Sequence, residues 1–189
     1  MPRGQAIDGY FVCATVFQDL NVNCIQDTGE PFSTTDQTVA FELDATLAEG
    51  DTLYVKGGYD LGTGKPNDHT FKLTVSSTGA AGGEALVVSP VSTQVSRAYA
   101  KSGVTLEQAL AKVGAAYGLD EAFPNLTNFD PIALAYGATT AAQAKAALTA
   151  QAKNIMVSTL GEVSKKVSEY FTTEIAPTVR KNITNLFSI

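Results

Sequence analysis

The sequence predicts an α+β protein, with an antiparallel β-sandwich in residues 1–98 and a helical region in residues 99–189. Short segments of the first half alternate apolar and polar residues between Gly-, Asn- and Asp-rich turns, as in small sandwiches or barrels. The second half has capping boxes and a long three-to-four spacing of apolar residues. The net charge changes as well, from −7 over residues 1–100 to +1 over residues 101–189.

The strand-type segments of the first half are rich in aromatic and β-branched residues, which favour strands. They cover residues 10–17, 39–43, 53–56, 71–75 and 85–88. Turn-forming residues separate them, most clearly the Gly-, Pro- and Asn-containing segment 62–68. The pattern therefore predicts several short strands joined by tight connections.

Two helices of the second half have defined starts. Thr105 and Gln108 have the spacing of a capping box, and Gly118 is expected to end the helix that follows. Thr140 and Gln143 have the same spacing. From there a helical pattern continues to about residue 174, shortly before a proline.

The second of these helices carries one apolar stripe at helical spacing. Its members are Leu148, Ala152, Met156, Leu160, Val163, Val167 and Tyr170. Two interpretations remain open: the stripe is a buried face of the fold, or it is a contact between chains. A helix of about 35 residues spans roughly 50 Å, more than the width of a domain of about 100 residues. Part of the stripe is therefore expected to need cover from the segment after Pro177 or from a second subunit.

Composition argues against several classes of protein. With 44% hydrophobic and 17% charged residues among 189, the chain is expected to fold. A net charge of −6 argues against a nucleic-acid partner, because phosphate binding needs a basic surface. There is no run of 18 apolar residues, so no membrane span is expected. No apolar segment follows the first charge, so no signal peptide is visible.

Signals of catalysis are weak, and we expect a protein that is not an enzyme. The single histidine, His69, lies in a polar turn, and the sequence has no nucleophile elbow, phosphate loop or dinucleotide-binding motif. A carboxylate pair such as Asp60 and Asp68 could serve a hydrolase, but acidic residues in turns are usually solvated. An enzyme is therefore the weakest of the functional hypotheses.

The strongest local signal is residues 19–30, which read DLNVNCIQDTGE. Counting from the first aspartate, oxygen-bearing side chains occupy positions 1, 3, 5, 9 and 12, and position 7 can offer a backbone carbonyl. This is the spacing of an EF-hand-type calcium loop, in which six to eight oxygens surround the ion. The predicted calcium ligands are Asp19, Asn21, Asn23, Ile25 (through its carbonyl), Asp27 and Glu30.

Cysteine occupies one critical position of this loop. Position 6, normally a glycine that forms a sharp turn, is Cys24, and a side chain at positive φ is sterically costly. Cys13, on the strand leading into the loop, could hold it through a disulfide worth roughly 3 kcal/mol. The alternative is two unpaired thiols. We expect the Cys13–Cys24 bridge, because calcium and disulfides both suit an extracellular setting.

Several motifs resemble modules of large bacterial surface adhesins. They are residues 8–17, the loop 19–31, the Thr-Thr-Asp at 34–36, the Gly-Gly turn at 57–64, more loosely residues 89–95, and Asn-Phe-Asp-Pro at 128–131. These motifs are similar to calcium-binding, transthyretin-like B repeats of Gram-positive surface proteins. They are closer to repeats in very long secreted proteins of Gram-negative bacteria and cyanobacteria. Two glycines of that pattern are Cys13 and Cys24 here.

The resemblance implies an immunoglobulin- or transthyretin-like sandwich with a secreted, cell-surface location. It further implies a calcium-binding structural module of an adhesin or a self-assembling filament, and it names no ligand. Self-association through the long helix is the expected partnership, alongside a cell-surface or glycan partner. The alternative function is an extracellular carbohydrate- or ligand-binding module. That alternative is weakened because the chain has no tryptophan to form a sugar-stacking surface.

Overall fold

The computed structural model describes residues 1–101, 103–119, 126–170 and 173, and this part of the chain has an α+β architecture. The strands are β1 (Arg3–Ala6), β2 (Phe11–Val12), β3 (Thr15–Gln18), β4 (Phe32–Thr34), β5 (Ala40–Glu42), β6 (Thr52–Lys56), β7 (Tyr59–Asp60), β8 (Thr70–Thr74) and β9 (Leu86–Val88). The helices are α1 (Ser77–Ala80), α2 (Pro90–Tyr99), α3 (Leu106–Tyr117), α4 (Pro131–Tyr136) and α5 (Ala141–Tyr170), with a 3-10 turn at Leu126–Asn128.

The chain forms two compact units, Met1–Ile155 and Met156–Ile189. The first unit holds all the described strands, helices α1 to α4 and the first half of α5, and the second begins within α5. This division lies later than the one predicted at residue 98. The reason is that α2 packs against both β8 and α3, so strands and helices belong to one unit.

Two sheets contain seven of the nine described strands. One has the order β4–β3–β6–β8, with all neighbours antiparallel. The other has the order β5–β1–β9, in which β1 is antiparallel to β5 but parallel to β9. The expectation of purely antiparallel strands is therefore wrong for β9. Gly4 allows this close pairing, because a Cβ at that position would collide with the carbonyl group of Leu86.

A single hydrophobic cluster includes side chains from both sheets. Phe41 and Leu86 come from the three-stranded sheet, and Val16, Leu53 and Leu73 come from the four-stranded sheet; none is more than 3% exposed. Burying a side chain of this size contributes about 1.5–3 kcal/mol. The shared core thus ties the two sheets together.

The predicted strand 10–17 is divided in two. Cys13 has a φ of 56°, a left-handed conformation that interrupts the regular strand. Its amide donates to the Thr35 carbonyl at 2.9 Å, and the next amide, of Ala14, donates to the Thr35 hydroxyl at 2.9 Å. As a result β2 pairs with β7, whereas β3 pairs with β4 and β6.

The predicted helix boundaries are confirmed where the structure describes them. Thr105 and Gln108 form a reciprocal capping box, and Thr140 and Gln143 form a second. Gly118 ends α3 in the left-handed conformation, with a φ of 59°. Helices α1 and α2 and strands β1 and β7 were not predicted.

The predicted stripe on α5 is exposed rather than buried. Leu148 is 65% exposed, Met156 45%, Leu160 54%, Val163 53% and Val167 51%, while the side chain of Tyr170 lies outside the described residues. Two alanines, an asparagine and a valine are buried instead, namely Ala147, Ala150, Asn154 and Val157, each at most 2% exposed. The interpretation of the stripe as a buried face is therefore wrong for the described residues.

Specific hydrogen bonds orient the first half of α5. The Gln151 side-chain amide donates to the Asp8 carbonyl at 3.3 Å, and the Lys153 ammonium donates to the Gly118 carbonyl at 2.6 Å. Alanine on the buried face lets the helix approach its neighbours closely. The buried face of the helix in the first unit is therefore determined by this close approach and by the two hydrogen bonds. The largest apolar side chains do not determine it.

Candidate metal centre

The calcium-type loop connects β3 to β4, which form an antiparallel hairpin. The amide of Gln18 donates to the Pro31 carbonyl at 3.0 Å, which closes the base of the loop. The next amide, of Asp19, donates to the Thr52 carbonyl at 3.2 Å and so joins the loop to β6. The sheet therefore holds both ends of the loop in place.

The first and last acidic residues of the loop are buried and organise its backbone. Asp19 is 8% exposed, and its carboxylate accepts from the amides of Asn23 at 3.2 Å and Cys24 at 2.8 Å. Glu30 is 7% exposed, and its carboxylate accepts from the amides of Leu20 at 2.7 Å and Asp27 at 3.0 Å. The loop thus wraps around two carboxylates that are fixed at its two ends.

The third carboxylate, Asp27, is partly buried and binds both asparagine side chains. Its Oδ2 atom accepts from the Asn21 amide group at 2.7 Å and from the Asn23 amide group at 2.6 Å. These two hydrogen bonds stabilise the ionised form and lower the pKa of Asp27 below its ordinary value. The five predicted oxygen-bearing residues therefore belong to one connected network.

The asparagine oxygens also support the turn. The Asn21 Oδ1 atom accepts from the Asn23 amide at 3.1 Å, and the Asn23 Oδ1 atom accepts from the Ile25 amide at 2.7 Å. Such side-chain-to-backbone bonds two residues apart are Asx turns. They fold the segment 21–25 into consecutive turns, so the sixth predicted ligand, Ile25, lies in the same folded segment.

The donor set suits a hard cation. Three carboxylates and two amide oxygens gathered on twelve residues match the oxygen preference of calcium. Within the described ranges, no three His, Cys, Asp or Glu side chains form a metal-holding group. A calcium site here therefore has to use asparagine and backbone oxygens in addition to carboxylates.

Two residues of the loop other than glycine adopt left-handed backbone conformations. Val22 has a φ of 60° and Cys24 a φ of 64°. The predicted sharp turn at Cys24 is thus present without glycine, at a cost of roughly 1–2 kcal/mol for each such residue. The rest of the structure has to hold both residues in these conformations.

Strand β6 supplies the contacts that hold Cys24. The Cys24 Sγ atom lies 3.1 Å from the Tyr54 hydroxyl, and the Lys56 ammonium donates to the Cys24 carbonyl. Burial raises the pKa of the Tyr54 phenol, and the Cys24 thiol and the Asp19 carboxylate raise it further. Sequence reasoning missed both β6 residues, although their spacing of two residues already put them on one face of a predicted strand.

The predicted disulfide is not formed in the structure. Cys13 and Cys24 are both free and exposed. The thiol of Cys24 instead contacts Tyr54, so the position is held by a different partner from the one expected. Both cysteines have left-handed backbone conformations, which only glycine adopts without steric cost.

Comparisons with protein-family profiles, with curated proteins and with solved structures found no match. Among the helices of the described residues, none is both long and apolar enough to cross a membrane.

Proposed function

We propose that this chain is a non-catalytic, calcium-binding structural module of a secreted cell-surface protein, either an adhesin or a self-assembling filament. The connected network of Asp19, Asn21, Asn23, Asp27 and Glu30 is the observation that carries the proposal. It supports calcium because these oxygens are already grouped on a loop whose ends are held by the sheet. We further propose an immunoglobulin- or transthyretin-like sandwich, supported by a core to which two sheets contribute.

Calcium would act here by neutralising the loop and stiffening it. Two positive charges balance most of the three negative charges of Asp19, Asp27 and Glu30. Bound oxygens from both ends of the loop would hold β3 and β4 together at their connection. A module in a long extracellular chain gains resistance to proteolysis and stretching from such a clamp, because local opening then requires loss of the ion.

Calorimetric titration with calcium tests the proposed site. The wild-type protein should bind one calcium ion, and Glu30→Gln should weaken binding at least about tenfold, because it removes a charge and a potential bidentate ligand. Glu49→Gln is the matched control, since Glu49 is exposed and lies outside the loop. Absence of calcium uptake by the wild-type protein would reject the proposal.

Self-association through α5 is the second part of the proposal. The exposed stripe supports it, because Leu160, Val163 and Val167 are apolar and each about half exposed. Contiguous apolar surface of this kind marks interaction sites. The proposed occupant is a second copy of the chain. The other predicted cover, the segment after Pro177, lies outside the described residues.

The alternative function is an extracellular module that binds a carbohydrate or another ligand. One observation favours it: a cavity beside the calcium-type loop is lined by basic side chains. A hydrolase based on Asp60 has less support, because its Oδ1 atom accepts from the amides of Gly62 and Thr63 and stabilises a turn.

A further inference from the structure

A cavity of about 280 Å³ lies where the four-stranded sheet, helix α2 and the calcium-type loop meet. Its wall includes Cys24, Tyr54, Lys56, Lys72, Thr93 and Arg97. These residues come from four separate segments of the chain, all within the first compact unit. The cavity is therefore a product of tertiary structure.

Strand register brings the lysines of the cavity together. On β6 and β8, Tyr54 pairs with Lys72 and Lys56 pairs with Thr70. Residues two apart on a strand share a face, so all four side chains lie on the same side of the sheet. Lys56 and Lys72 are then diagonal neighbours, whose Cβ atoms are typically about 7 Å apart or slightly less.

Helix α2 brings the third cation. The Thr93 hydroxyl accepts from the Lys72 backbone amide at 3.0 Å, which fixes the helix against β8. Arg97 lies four residues further along the same helix, and so on the same face as Thr93. Arg97 therefore lies on the side of the helix that faces β8, and it is part of the cavity lining together with the two lysines.

The cavity concentrates positive charge in an acidic part of the protein. Residues 1–100 contain only five lysines and arginines against twelve acidic residues, yet three of those five line this one cavity. No carboxylate is part of its lining. Among the described residues, the ion pair that Arg3 forms with Glu42 involves neither Lys72 nor Arg97.

We propose that this cavity binds a tetrahedral oxyanion, a phosphate or sulfate group, between Lys56, Lys72 and Arg97. A guanidinium can donate two parallel hydrogen bonds to such an anion, and lysines add compact charges around it. The Thr70 hydroxyl, on the same face, is a further donor. The cavity has room for the anionic group. A larger ligand would place a phosphate or sulfate ester of its own in the cavity, while the rest of the ligand stays outside.

The calcium-type loop contributes an opposing charge. The Asp19 carboxylate is close enough to Tyr54 to act on its phenol, and it therefore repels an anion in the cavity. The affinity for the anion measured without calcium is consequently a lower limit for the affinity of the calcium-bound protein. Binding measured with calcium chelated also tests the cavity independently of the proposed calcium site, so the two proposals can fail separately.

Calorimetric titration with sodium sulfate and with sodium phosphate, at constant ionic strength and with EDTA present, tests this proposal. The wild-type protein should show saturable binding of both anions, and Lys72→Gln and Arg97→Gln should each weaken it about tenfold. Lys65→Gln is the matched control, because it removes the same charge from an exposed turn outside the cavity. Thermal unfolding of each variant shows that it is folded.

Two oligosaccharides that differ only in one sulfate ester distinguish the sources of the anion. Tighter binding of the sulfated sugar than of free sulfate supports an ester as the ligand, and equal or weaker binding supports the free anion. The proposal is overturned if no anion binds saturably below about 10 mM, a limit corresponding to very weak affinity. It is also overturned if Lys65→Gln weakens binding as much as Arg97→Gln does.

Discussion

Backbone strain at single residues distinguishes this calcium-type loop from a glycine-containing one. Val22 is the clearest example, because it combines a φ of 60° with a β-branched side chain that is 83% exposed. The side chain contributes almost no packing that could offset the unfavourable conformation. Cys24, by contrast, has a similar φ but contacts Tyr54 through its thiol.

Replacing Val22 by glycine should therefore stabilise the protein. Val22→Gly is expected to raise the free energy of unfolding by about 1 kcal/mol, because glycine adopts positive φ without a steric cost. Urea denaturation in the presence of EDTA measures the change. Leu20→Gly is the control: Leu20 is also exposed but lacks a positive φ, so this variant should bring no gain. Equal stabilisation by both variants would contradict the explanation.

The hydrogen bonds to Asp27 lead to a prediction about its titration. They lower its pKa below the ordinary 3.8, so the ionised network is complete above that pH and is lost as the pH falls through the lowered value. Asn21→Ala and Asn23→Ala should each raise the pKa of Asp27 in calcium-free protein. Carboxyl NMR shifts measure this titration. Asp36 is the internal control, because its pKa is lowered by Thr38 and should not respond.

At the scale of elements, α5 shows that the most apolar face of a helix is not always the buried one. Asn154 is fully buried, and among the described residues neither its Nδ2 nor its Oδ1 atom has a hydrogen-bond partner. An unsatisfied buried amide normally destabilises a fold. It persists here next to alanines whose small size permits close packing of the helix.

Removing that amide should stabilise the first unit. Asn154→Leu has a similarly branched side chain without polar atoms, and it is expected to raise the free energy of unfolding by about 1 kcal/mol. Chemical denaturation provides the measurement. Asn128→Leu, at an exposed asparagine, should bring no comparable gain. A clear loss of stability in Asn154→Leu would mean that the amide is satisfied by a buried water molecule.

For the whole molecule, the exposed stripe predicts a concentration-dependent assembly. Val163→Asp combined with Val167→Asp should dissociate it, because charges in an apolar interface have to be desolvated. Sedimentation velocity with calcium present measures the mass, and circular dichroism checks that the β structure persists. Leu61→Asp, at an exposed apolar residue in a turn, should leave the assembly intact. A wild-type protein that stays monomeric at high concentration would disprove self-association.

Features that depend on neighbouring residues could be predicted from the sequence. The capping boxes at Thr105 and Thr140 and the left-handed end at Gly118 follow from spacings of a few residues, and all three are confirmed. The oxygen pattern of residues 19–30 likewise grouped side chains that the structure joins in one network. The residues that form each of these features are close to one another in the sequence, so local chemistry is sufficient to specify the features.

Features that depend on distant segments were decided by tertiary structure alone. The parallel pairing of β9 with β1 joins residues about eighty positions apart, and the basic cavity collects side chains from Cys24 to Arg97. The buried face of α5 is set by anchors at Asp8 and Gly118 together with small residues, against the prediction from its apolar stripe. Helical periodicity reveals which residues share a face, whereas the surface that meets that face determines whether it is buried.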